Sequence, residues 1–72
     1  MNPQPYGEAI DAAKADSVCN EFEAFYLTRV SGEEGSALFT YTPVKKSDLG
    51  KIPADASAVY ETFRCNDWRQ VR

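Results

Sequence analysis

From Asn20 onward the side chains alternate in character. Phe22, Ala24, Tyr26, Thr28 and Val30 share one parity, and Glu21, Glu23, Phe25, Leu27 and Arg29 share the other. A two-residue repeat is the mark of an extended strand, whose successive side chains point to opposite faces. Ser36 to Pro43 repeats the pattern, with Ala37, Phe39 and Tyr41 set against Leu38, Thr40 and Thr42. The stretch between, Ser31-Gly32-Glu33-Glu34-Gly35, is rich in turn-tolerant residues, so the two runs predict a hairpin. Setting Val30 opposite Ala37, Thr28 opposite Phe39 and Tyr26 opposite Tyr41 gathers apolar members of both strands on one face.

Upstream, the period differs. Glu8 to Ser17 places Ala9, Ile10, Ala12, Ala13 and Ala15 among charged residues, which predicts a helix, since alanine has the highest helix propensity. Glu8 and Asp11 near its start complement the helix dipole. Pro5 is suited to a first turn, and a start that early would put Gly7 inside the helix. Ile10 and Ala13, joined by Tyr6 and Ser17, form its narrow apolar stripe.

Downstream, Pro43 closes the second strand. Val44 to Pro53 is a connection in which Ser47 is placed to cap a single helical turn stopped by Gly50. Ala54 to Asn66 fits two patterns: Ala56, Val59, Tyr60 and Phe63 suit a helix, while Val59, Phe63 and Cys65 suit a strand. The strand is preferred, because Val, Tyr, Thr and Phe favour extended backbone and a lone hairpin needs a third strand for stability. Asp67 to Arg72 is then a short tail with Trp68 tucked against the sheet. The predicted fold is a single small α+β domain spanning residues 1–72, one N-terminal helix packed on a three-stranded antiparallel sheet in the order α-β-β-β.

In that arrangement Phe22, Tyr26 and Val30 turn toward the helix, and Phe25, Leu27 and Leu38 point away from it. Either the tail with Trp68 and Val71, or the other side of the helix, covers this second set, or it is exposed. Exposed apolar side chains rimmed by charge describe a protein-binding surface. The candidate partner-binding residues are therefore Phe25, Leu27, Arg29 and Leu38, with Glu33 and Glu34 at the hairpin tip.

Composition narrows the function classes. With 72 residues the chain has room for one core, and four Phe, four Tyr and one Trp give it enough apolar surface to fold. There is no His, which removes the commonest general base and a common metal ligand. Two isolated cysteines, Cys19 and Cys65, make no zinc motif, and phosphate-cradling glycine loops are missing. The paired acids Glu21/Glu23 and Glu33/Glu34 suit a half-exposed strand and a loop better than acid–base work. Neither catalytic residues, nor a metal, nor a cofactor is expected, and the chain is read as a non-enzyme.

The net charge of −3 argues against general nucleic-acid binding, which depends on a strong positive field. Seven acids (Glu8, Asp11, Asp16, Glu21, Glu23, Glu33, Glu34) against Lys14 and Arg29 make the first half acidic. Lys45, Lys46, Lys51, Arg64, Arg69 and Arg72 make the second half mildly basic. No signal-like start and no membrane-length apolar run occur, so the expected location is cytoplasmic, with both cysteines as buried thiols. The leading expectation is a non-catalytic protein-binding module, an inhibitor or accessory protein of viral or mobile-element origin. A nucleic-acid-binding domain using the basic second half, or a small structural subunit of a larger enzyme, is the alternative.

Overall fold

The computed structural model describes residues 2–17, 23–32, 35–62, 64 and 67–72. Helix α1 (Tyr6–Ser17) is followed by strands β1 (Ala24–Ser31) and β2 (Leu38–Val44), a 3₁₀ helix (Lys46–Lys51), β3 (Ala58–Thr62) and β4 (Trp68–Gln70). The strands form one antiparallel sheet in the order β2-β1-β3-β4. The α+β class and the third strand follow the expectation from sequence. The segment expected to be a tail instead adds a fourth strand, because Trp68, Arg69 and Gln70 pair with Thr62, Glu61 and Tyr60.

The helix takes the early start. Pro5 supplies the carbonyl that accepts the Ala9 N–H at 2.9 Å, and Gly7 lies within the first turn, where Glu8 faces the positive end of the dipole. Ala9 and Ala13 are fully buried beside Ile10. These small side chains let the helix lie close to the sheet, so the sheet's aromatic rings fill the space between the two layers. The core joins Ala9, Ile10 and Ala13 to Phe25, Leu27 and Ala58, with Phe39, Tyr41, Tyr60 and Trp68 packed around them. Phe25 stacks on Tyr60 with centroids 5.1 Å apart and meets the edge of Trp68 at 5.0 Å.

The hairpin register differs by one residue from the pairing that the apolar alternation suggests. Tyr26 opposes Thr42, Leu27 opposes Tyr41 and Thr28 opposes Thr40. A one-residue slip exchanges the faces of a strand, so Phe25 and Leu27, expected to point away from the helix, are turned toward it and are 0% exposed. Tyr26 lies on the opposite face and is half-buried. The physical reason lies in the partners: Phe25 and Leu27 pair with Tyr60 and Ala58 on β3, whose side chains complete the layer under the helix. Val30 is the residue left over where the register shifts between Arg29 and Ser31, and it is 52% exposed.

Pro43 is tolerated inside β2 because its missing N–H falls on the outer edge. Phe39, two pairs of residues away and of the same parity, exchanges both of its backbone bonds with Gln4 on that outer side, at 2.9 and 2.7 Å. The connection after β2 forms the expected short helical turn, but no side chain caps it, so the role given to Ser47 is corrected: Lys45 occupies the cap position in extended backbone. This connection covers one end of the outer sheet face, where Tyr26, Val44, Asp48, Lys51 and Ile52 line a cavity of about 190 Å³. The expectations for Phe22, Cys19, Cys65, Glu33 and Glu34 fall outside the described residues.

Candidate functional site

On the helix-side face of β1 the row Phe25, Leu27, Arg29 runs out from under the helix at its last member. Arg29 stands opposite Phe39 and is exposed. At the same level the chain before α1 is tied to β2 by the Gln4 and Phe39 backbone bonds, which sets Tyr6 edge-on against the Phe39 ring, 5.3 Å between centroids and 82° between planes. The space between these parts is an open groove of about 540 Å³, walled by Pro5, Tyr6, Leu38 and Phe39, with Arg29 and the Gly35 to Ala37 backbone at its rim.

The loop beside the groove depends on a left-handed glycine. Gly32 has φ 94°, and a Cβ there would meet the Ser36 carbonyl oxygen at 2.5 Å and Ala37 Cα at 2.8 Å. Its carbonyl accepts a hydrogen bond from the Arg29 guanidinium, which anchors that side chain while leaving other N–H donors directed elsewhere.

Of the six candidate residues read from sequence, the structure brings Arg29 and Leu38 together at this groove. Phe25 and Leu27 belong to the core instead, so in this fold they offer no surface to a partner. Tyr6 and Phe39 were missed. The sequence pattern puts Phe39 on the buried face and Tyr6 at the margin of the helix stripe, and it is the pairing of Gln4 with Phe39 that juxtaposes their rings. Tyr6 is 38% exposed, one of three large apolar residues so exposed among those described.

Two tyrosines of the inner face have altered acidity. Tyr60 is pushed up to about 12, first by burial and then by a hydrogen bond with Tyr6 and its charge. Tyr41 is raised by its hydrogen bond to the Asp16 carboxylate, then by burial and by the repulsion of that same charge. Among the described residues no group of three or more His, Cys, Asp and Glu is placed to hold a metal ion, and no helix is long and apolar enough to cross a membrane.

The second-half bases are distributed over both edges of the sheet. Lys45 follows β2 at one edge, whereas Arg64, Arg69 and Arg72 flank or occupy β4 at the other. No family model matches the chain, and neither a curated protein nor a solved structure matches it.

Proposed function

We propose that this domain is a non-catalytic protein-binding module, an accessory or inhibitory protein that acts by occupying a partner protein's surface. The groove between Tyr6, Leu38 and Phe39, rimmed by Arg29, carries the proposal. Aromatic residues and arginine are the types that most often anchor protein interfaces, because they combine large apolar area with directed donors. The occupant that suits the groove is an apolar partner side chain followed by a carboxylate, the first lying on the ring pair and the second meeting the Arg29 guanidinium. A cytoplasmic location and a viral or mobile-element origin belong to the same proposal and rest on the sequence alone.

Its test is a photo-reactive residue at exposed Ser36, used to cross-link the partner in cells of the source organism and identify it. Leu38→Asp and Arg29→Glu are each expected to lower the affinity of the purified partner by about tenfold or more. Partner binding unaffected by both substitutions, in variants that melt like the parent, would overturn the groove as the site.

A further inference from the structure

Hydrogen bonding alternates along an antiparallel strand, so the partners of β3 fix which backbone groups of β4 remain open. The Val71 N–H donates to the Val59 carbonyl at 2.8 Å, which directs Val59 and Glu61 toward β4 and, in the same register, Arg69 toward β3. The N–H and C=O of Trp68 and Gln70 therefore point outward. None of the described residues pairs with them. The opposite edge of the sheet is guarded, by Pro43 at one end and by Gln4 on Phe39 at the other. Among the described residues the β4 edge has neither device.

Charge decides what that edge accepts. Around this edge Arg64, Arg69 and Arg72 stand against Asp67 and Glu61, the latter directly across from Arg69 on β3, which leaves a surplus of positive charge in a chain whose net charge is −3. Asp67 is engaged internally, accepting from the Arg64 N–H at 2.7 Å and the Thr62 hydroxyl at 2.8 Å. A second copy of the chain, paired through Trp68 and Gln70 about a two-fold axis, would set Arg69 directly opposite its own counterpart, a repulsive cross-strand pair. An acidic strand sets a carboxylate there instead.

We infer that the β4 edge is a second binding surface, which adds an extended acidic segment of a partner protein to the sheet as a fifth strand. The outward groups of Trp68 and Gln70 supply the ladder hydrogen bonds, and the positive surplus of the edge selects for glutamate or aspartate on the added strand, with the Arg72 guanidinium itself donating to the Pro53 and Ala54 carbonyls. The surface is separate from the groove at the hairpin tip and stands whether or not that groove binds anything.

The probe is a capped octapeptide alternating glutamate and valine, titrated into the intact protein while Trp68 fluorescence or peptide anisotropy is followed. Saturable binding is expected, with no comparable binding of the lysine–valine counterpart. Gln70→Pro removes one outward N–H and no ladder bond within the domain, so it is expected to keep the fold and weaken the peptide by about tenfold or more. Arg69→Glu is expected to weaken it roughly fivefold to tenfold and to favour the lysine–valine peptide. N-methylation of alternate peptide amides, which needs no change in the protein, is expected to abolish binding in one of its two registers. The inference is overturned by equal binding of both peptides, by indifference to N-methylation in both registers, or by a parent dimer that Gln70→Pro converts to monomer. The last outcome would show that the edge pairs with a second copy.

Discussion

The two faces of β1 are built from comparably apolar residues, yet they meet different surroundings. Phe25 and Leu27 are sealed between the sheet and α1, while Tyr26 is half-buried and Thr28 open to solvent on the outer face. Their neighbours make the difference. Across from Phe25 and Leu27 stand Tyr60 and Ala58 on β3, and above them Ala9 and Ala13 leave the space that the rings need. Across from Tyr26 and Thr28 stand Thr42 and Thr40, whose hydroxyls suit water. Among the described residues the outer face is buried at Ala24, Val44 and Val59. Amphipathic alternation thus marks two candidate inner faces, and the second layer selects between them.

The largest effect is expected at Phe25. Phe25→Ala removes the ring that stacks on Tyr60 and touches Trp68, and is expected to cost about 3–5 kcal/mol, enough to unfold much of a domain this small. Urea unfolding followed by circular dichroism checks it; a loss under ~1 kcal/mol would mean that the inner face is misassigned. Phe25→Asp is expected to prevent folding altogether, since a charge would be left unpaired in the core.

A smaller effect comes from the ionisation of Tyr60, on the same inner face. Its folded pKa lies above the ordinary value of 10, at about 12, so the folded state holds the phenolic proton more tightly than the unfolded state. The contribution is fully present below pH 10 and is lost as pH rises toward 12, where both states are ionised. Melting temperature measured across that window should fall, and Tyr60→Phe should make the fall shallower. An unchanged slope in Tyr60→Phe would place the titrating group elsewhere.

The smallest effect is expected where the register shifts. Val30→Asp places a charge at a residue 52% exposed and should alter stability by under ~0.5 kcal/mol. Thermal unfolding of this variant beside Phe25→Ala gives the contrast its scale. A loss above ~2 kcal/mol at Val30 would show that the outer face is covered more fully than its threonines suggest.

Local signals in the chain determined the element types. The alanine-rich run between Pro5 and Ser17 specifies a helix through propensity, and the two-residue repeat with its glycine-containing turn specifies a hairpin. Val59, Tyr60 and Thr62 favour a third strand over the helix that the same stretch also fits. Parity alone left the inner face open, because Phe25 and Leu27 compete with Phe22, Tyr26 and Val30 for it. The absolute register is a property of several strands and a helix taken together, and a shift at Val30 is invisible to a count of apolar positions. For the same reason the groove was half legible: Arg29 and Leu38 lie next to the turn, but Tyr6 reaches Phe39 only through the pairing of Gln4 across 35 residues of chain. The fourth strand has the same origin, since a three-residue segment has too few positions to show a period and forms because β3 presents an edge for it to pair with.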